Sequence, residues 1–158
     1  MFSQKQVEEL VDLLYTLDST TKLYIGTDSV RFNKNNEWYA KYASVCVVHM
    51  NGKNGCKVFK HRSIERDYDI RKNRPSLRLM NEVIKSCELY MQLAPYIDEF
   101  DVEIHLDVNT NPLHGSNCVA VQAAGYVLGV TGISKKNIKL KPDALAASFG
   151  ADHFANNF

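Results

Sequence analysis

The sequence predicts an α/β fold with a five-stranded mixed sheet in the strand order 3-2-1-4-5. Two observations lead to this prediction. Three β-rich segments come early in the chain, and the Asn-Gly-Lys-Asn-Gly segment at 51–55 is typical of a hairpin between the second and third. After residue 100, strand-like and helical segments alternate, which favours parallel pairing. We therefore expect an antiparallel half joined to a parallel half, with helices on both faces of the sheet.

The chain opens with an amphipathic pattern. Ser3 and Gln6 stand at capping-box spacing and apolar residues follow at helical intervals, so an N-terminal helix is expected over 3–17. The apolar run 22–29 turns polar at Asp28. This change predicts a first strand that ends here, with its carboxyl end in the open.

Similar patterns predict the remaining elements. Segments rich in β-branched and aromatic residues, or alternating in polarity, predict four further strands at 37–50, 56–64, 100–109 and 137–141. The charged segment 64–74 is expected to be a loop. Helices are predicted after Pro75, over 117–130 and over 144–154. The second of these consists of small and apolar residues, and we expect it to be buried.

Length and composition limit the class of protein. The 158 residues fit a single domain over 1–158, with 1–21 as an N-terminal helical extension. Apolar and charged shares of 45% and 23% are usual for a globular protein. Neither a membrane-spanning run nor a secretory signal is present, so we expect a cytoplasmic protein without a membrane partner. Because the formal net charge is only +1, any affinity for nucleic acid has to come from a local basic patch.

Two aspartates follow apolar strands. Asp28 ends the first predicted strand and Asp107 ends the fourth, so the predicted order places them on adjacent strands. In open α/β sheets, ligands bind beyond the carboxyl ends of the strands, where the strand order switches. Carboxylates bind Mg²⁺ and Mn²⁺, and two such ions can activate water and stabilise the leaving oxygen in phosphodiester cleavage. Both aspartates also suit turns, because their side chains accept hydrogen bonds from nearby backbone amides.

The element order and the positions of Asp28 and Asp107 resemble those of the ribonuclease H superfamily. Four segments resemble the YkuK-like family within it, over most of the chain from about residue 22 onward: GTDS at 26–29, the Glu82-Val83 step, HLDVN at 105–109 and KPDALAASFGADH at 141–153. The Asp-Ala-Leu-Ala segment at 143–146 also resembles the final-helix motif of RuvC-type junction resolvases, in which the aspartate is a metal ligand.

The resemblance implies a ribonuclease H-like fold and a site for Mg²⁺ or Mn²⁺ built from Asp28, Glu82, Asp107 and Asp143. Two alternatives stay open. Glu88 competes with Glu82 on the same helix. Asp152 competes with Asp143 for the place of the fourth ligand, since Asp143 also suits a plain helix N-cap.

A basic stretch precedes the helix that carries Glu82. Residues 60–78 contain seven basic and three acidic residues, with Tyr68 available for base stacking. We expect six of the basic residues to contact a phosphate backbone: Arg62, Arg66, Arg71, Lys72, Arg74 and Arg78. The alternative is a solvated loop with internal salt bridges.

These patterns and the resemblance predict a nuclease that hydrolyses phosphodiester bonds in RNA, DNA or RNA/DNA hybrid, with water as the nucleophile and the acids as metal ligands. The alternative is a non-catalytic module of the same fold that binds nucleic acid or protein. Four carboxylates that converge within a few ångströms favour the enzyme, whereas carboxylates that point apart or are held in salt bridges favour the binding module.

Overall fold

The computed structural model describes residues 1–70, 75–144, 151 and 153–156. The helices are α1 (Gln4–Leu14), α2 (Ser76–Ile97) and α3 (Ala120–Thr131), and residues 151 and 153–156 are helical as well. The strands are β1 (Lys22–Lys34), β2 (Glu37–His49), β3 (Cys56–Arg66), β4 (Asp101–Asn109) and β5 (Ile138–Lys141). Within the described ranges, no helix is both long and apolar enough to cross a membrane.

The strands form one mixed sheet in the order β3-β2-β1-β4-β5, which confirms the predicted order. β1, β2 and β3 pair antiparallel, while β4 is parallel to both β1 and β5. The predicted Asn-Gly turn connects β2 to β3, with Asn51 and Gly52 at φ of 48° and 68°. Asparagine and glycine adopt this left-handed conformation more readily than other residues.

The first strand is longer than the sequence analysis predicts. β1 does not end near Asp28; it continues to Lys34 and pairs with β2 along its whole length. Asn35 and Asn36, at φ of 54° and 61°, form the two-residue turn that joins the strands. The signal was present as an Asn-Asn pair between two β-rich segments. Asp28 therefore lies in the middle of a long hairpin strand.

Side-chain alternation gives the sheet two distinct faces. Leu23 and Ile25 lie on the face that packs against α1 and α2, which we call the helix-covered face. α3 packs against α2 and β4 on the same side through Ala123 and Val127. The other side, which carries Tyr24 and Val47, is called the opposite face, and helical residues Ala151 and Phe154 pack on it. Helices on both faces are thus confirmed.

Two expectations about helices have different outcomes. The capping box of α1 is present, since Ser3 Oγ accepts from the Gln6 N–H and Gln6 Oε1 accepts from the Ser3 N–H. The expectation that the 117–130 segment forms a buried helix is only partly met. Val121 in α3 is 89% exposed, because α2 and β4 cover only one side of this helix.

Replacement of Leu93 by alanine is expected to lower the free energy of unfolding by about 2–5 kcal/mol. Leu93 is fully buried in the cluster between α1, α2 and the sheet, so the shorter side chain leaves a cavity. Urea denaturation measures the loss. Met91→Ala on the exposed side of the same helix is the control, with an expected change within about 0.5 kcal/mol. Equal losses in the two variants would contradict the described packing of α2.

Candidate metal and phosphate site

The parallel pairing of β1 and β4 stops in the middle of the sheet. The last pair in register is Thr27 with Leu106, and the next residues along the two strands are Asp28 and Asp107. Beyond this point β1 stays paired with β2, while β4 continues beside β5 after a register shift. The two strands therefore separate, and a cleft opens between them at the two aspartates.

A cavity of about 340 Å³ lies at this cleft. The described residues that line it are Asp28, Ser29, Pro75, Arg78, Leu79, Glu82, Asp107, Ser116 and Lys141. Three of the acids expected from the sequence thus meet at one cavity, although they come from β1, α2 and β4. Glu88, the alternative to Glu82, is exposed on α2 and is absent from this lining.

The acids approach the cavity from both sides of the sheet. Alternation along β1 and β4 places Asp28 and Asp107 on the opposite face, whereas α2 brings Glu82 from the helix-covered face. The separation of the strands is what allows the two sets to meet. Asp28 is buried, and its Oδ1 accepts a hydrogen bond of 2.7 Å from the Ser29 backbone N–H.

Glu82 is the most deeply buried of the three acids, at 3% exposure. The Ser29 hydroxyl donates to Glu82 Oε1 at 2.5 Å, and Arg78 Nη1 lies 3.4 Å from the same oxygen. Burial raises the pKa of Glu82 well above its ordinary value, and the nearby charges of Asp28 and Asp107 raise it further. Ser29 and Arg78 only partly offset these effects on the pKa.

Two cations of the protein lie against these acids. Lys141, at the end of β5, forms an ion pair with Asp107. Arg78 Nη1 donates to the Ser29 carbonyl oxygen at 2.9 Å and to Ser29 Oγ at 2.7 Å, beside Glu82. Three of the four expected acids thus line one cavity, and two of them, Glu82 and Asp107, are held by cations, as expected for a binding module.

The donor chemistry of the cavity fits a hard divalent cation. Its acidic groups are carboxylates, the ligands that Mg²⁺ and Mn²⁺ accept, and the negative charges of Asp28 and Asp107 add to burial in raising the pKa of Glu82. The spacing of the described side chains, in contrast to their chemistry, does not indicate a metal site. Across residues 1–70, 75–144, 151 and 153–156, no three His, Cys, Asp or Glu side chains stand as one group able to hold a metal ion.

The fourth acid remains a matter of prediction. Asp143 is exposed in a turn after β5, where its N–H donates to the Leu140 carbonyl oxygen at 2.9 Å, and it is absent from the cavity lining. Asp152 lies outside the described residues, as do 145 and 146 of the Asp-Ala-Leu-Ala segment.

The three predicted basic residues that the structure describes lie in different places. Arg78 lines the cavity. Arg66 pairs with Glu37 at 2.8 Å, and the Arg62 guanidinium lies 5.9 Å from the ring centroid of Phe154. Three others, Arg71, Lys72 and Arg74, lie outside the described residues.

The sequence analysis did not anticipate the role of two aspartates in the loop before α2. Asp67 and Asp69 are buried, and Arg31 binds both, through Asp67 Oδ2 at 2.7 Å and the Asp69 carbonyl oxygen at 2.7 Å. The Asp69 carboxylate also accepts from the backbone N–H groups of Leu77 and Arg78 at 3.0 and 2.7 Å. It thereby accepts hydrogen bonds from backbone N–H groups that have no partner within α2, and its negative charge interacts favourably with the positive end of the helix dipole.

This network fixes the first turn of α2 and, with it, the position of Arg78 at the cavity. Arg31 is itself held from the other side, because its guanidinium lies 4.3 Å from the centroid of the Trp38 ring. The available sequence signal was an acidic pair shortly before a Pro-Ser helix start. In the sequence alone, these acids are only opposing charges in the basic stretch 60–78.

Replacement of Glu82 by glutamine is expected to stabilise the metal-free protein near neutral pH. Since the folded pKa of Glu82 is raised, the wild type is most stable below the unfolded pKa of glutamate, and this stability is lost as pH rises through the folded pKa. The glutamine variant has no such loss. Urea midpoints at about pH 4.5 and about pH 7.5 measure the difference.

The matched control is Glu88→Gln, at an exposed position of the same helix. It is expected to leave the pH dependence of the wild type unchanged. A wild-type protein that gains stability over this pH range relative to Glu82→Gln would contradict the raised pKa.

Comparison with known proteins agrees with this architecture. A family model described as ribonuclease H-like matches residues 5–156. No curated protein and no solved structure matches the chain. The family match covers nearly the whole sequence, and the five-stranded sheet has the order expected for that fold. The chain therefore belongs to the ribonuclease H-like family.

Proposed function

We propose that this protein is a nuclease that uses Mg²⁺ or Mn²⁺ to hydrolyse phosphodiester bonds in RNA, DNA or RNA/DNA hybrid. One observation carries the proposal: Asp28, Glu82 and Asp107 reach a single cavity at the end of the β1–β4 pairing. The membership of the chain in the ribonuclease H-like family supports it. Fold alone does not determine function, so the argument rests on these side chains.

In this proposal the acids are metal ligands. Asp28 and Asp107 hold the ions together with Glu82, and the C-terminal segment supplies a further ligand, Asp143 or Asp152. When bound, the metal lowers the pKa of a water molecule and stabilises the leaving oxygen. Because the carboxylates are partly held by protein cations, the ligands have to exchange these partners for the ion.

Released from the acids in this exchange, Arg78 and Lys141 would serve as phosphate ligands. Both line the cavity already, and each carries N–H donors that suit phosphate oxygens. Arg78 is held in place by its bond to the Ser29 carbonyl oxygen and by the capped start of α2. The other basic residues expected from the sequence, Arg62, Arg66, Arg71, Lys72 and Arg74, would contact the phosphate backbone outside the cavity.

A second function is favoured by a specific observation. The ion pair between Lys141 and Asp107, and the Arg78–Ser29–Glu82 contacts, compensate part of the negative charge without any metal. Such an arrangement suits a non-catalytic module that binds nucleic acid or protein. Metal binding separates the two functions, because only the nuclease requires it.

Mg²⁺ and Mn²⁺ are expected to bind the wild type and raise its Tm. The free energy of unfolding is expected to rise by about 2.7 kcal/mol at a free ion concentration a hundredfold above Kd. The reason for this expectation is that a bound cation would relieve the charge repulsion between Glu82 and the neighbouring carboxylates. Calorimetric titration and thermal scans measure both effects, with Ca²⁺ as a comparison ion. If neither Mg²⁺ nor Mn²⁺ binds, the nuclease proposal fails and the binding module remains.

Asp28→Asn and Asp107→Asn are each expected to reduce metal-dependent cleavage by more than about a hundredfold, since even residues that only orient metal ligands contribute 10–100-fold. The amide keeps the shape of the side chain but loses the charge that holds the ion. Cleavage of end-labelled RNA, DNA and hybrid oligonucleotides measures activity. Asp98→Asn, at an exposed position beyond the end of α2, is the control and should match the wild type. Full activity in either site variant would exclude that residue as a ligand.

A further inference from the structure

The β1–β2 hairpin beyond Asp28 carries a surface that the proposed cavity does not use. On the opposite face, Val30, Phe32 and Lys34 follow Asp28 along β1, and Tyr39 and Lys41 accompany them on β2. Phe32 is directly paired with Tyr39, and Lys41 with Val30. We call Phe32, Lys34, Tyr39 and Lys41 the hairpin platform.

The two rings of the hairpin platform form a stacked pair. The ring centroids of Phe32 and Tyr39 are 5.7 Å apart at an interplanar angle of 30°, and both side chains are partly exposed. α1, α2 and α3 pack on the helix-covered face, and the helical residues Ala151 and Phe154 contact the sheet near Val45 and Val47. Aromatic side chains at the end of a hairpin thus lie outside the three described core clusters.

Positive charge surrounds these rings. Lys41 Nζ lies 5.2 Å from the centroid of Phe32, and Lys34 is exposed two residues further along β1. Arg66 is paired with Tyr39 across the β2–β3 ladder. Glu37 also lies beside the rings and is engaged by Arg66 at 2.8 Å and by the Tyr39 hydroxyl at 2.9 Å. Rings flanked by cations match a strand of bases flanked by phosphates.

The hairpin platform is continuous with the proposed metal site. Phe32 lies four residues after Asp28 on the same strand and the same face, which is about 13 Å at 3.3 Å per residue. That distance corresponds to about four stacked nucleotides at 3.4 Å each. A nucleic-acid strand whose bases stack on the rings therefore reaches the cavity within a few nucleotides.

We propose that the hairpin platform binds single-stranded nucleic acid, with bases stacked on Phe32 and Tyr39 and phosphates near Lys34 and Lys41. The proposal rests on the proposed function in one respect: it names a strand with unpaired bases as the substrate class of the Asp28–Asp107 cavity. Stacking on side chains requires an exposed base face, which a continuous duplex does not offer.

Binding is measured by fluorescence anisotropy with labelled single-stranded and blunt duplex DNA of equal length, in EDTA so that no cleavage occurs. Phe32→Leu and Tyr39→Leu keep apolar bulk but remove the aromatic face. Each is expected to weaken single-strand binding by about 5- to 150-fold, which corresponds to 1–3 kcal/mol per stacked base. Tyr15→Leu, on an 85% exposed tyrosine next to α1, is the control and should bind like the wild type.

A second measurement needs no variant. A single strand of the same length with abasic sites keeps its phosphates and is expected to bind the wild type more weakly than the intact strand. Equal affinity for the intact strand, the abasic strand and the duplex would overturn the proposal for the hairpin platform. Leucine variants with the Tm and the single-strand affinity of the wild type would overturn it as well. If the wild type binds single strands but does not cleave them, the nuclease proposal is rejected and the proposal for the hairpin platform is supported. Cleavage without any base-dependent binding would reject only the platform.

Discussion

The end of the parallel pairing between β1 and β4 is the constraint on which the candidate site depends. After Thr27 and Leu106 the two strands take different partners, because β1 is held in a long hairpin with β2 and β4 shifts register against β5. Because the two strands separate, the sheet has a gap between β1 and β4 beyond this point. Only through this gap do Asp28 and Asp107 meet a carboxylate from α2, which lies on the other side.

The charges at this gap explain both the proposed chemistry and its rival. Glu82 is buried beside two other carboxylates, which is unfavourable unless protons, cations or metal ions compensate. Arg78 and Lys141 supply part of the compensation from within the chain. On the proposed function, a divalent ion would bind here only in exchange for these cations. The proposal therefore assigns these two side chains to phosphate, the next negative group that arrives with a nucleic-acid substrate.

The strand order was predictable from the sequence because its signals are local: the Asn-Gly turn and the strand–helix alternation after residue 100. Asp28 and Asp107 were found by their places on apolar strands. The length of β1 was missed although the Asn35-Asn36 turn was visible. The cap by Asp69 has only an indirect sequence signal, because the capped N–H groups of Leu77 and Arg78 are eight and nine residues away and Arg31, which holds the Asp69 carbonyl oxygen, is 38 residues away. The charged contacts of Glu82 and Asp107 likewise depend on tertiary structure that no spacing reveals.

The contact between Arg31 and Trp38 gives the protein a built-in optical reporter. Trp38 is the only tryptophan of the chain, so its emission arises from one place. The guanidinium above its ring is the same group that binds Asp67 and Asp69 and thereby the start of α2. Any event that moves this end of α2 also changes the electrostatic surroundings of the indole. Intrinsic fluorescence, without a label, therefore reports on the element that carries Arg78 and Glu82.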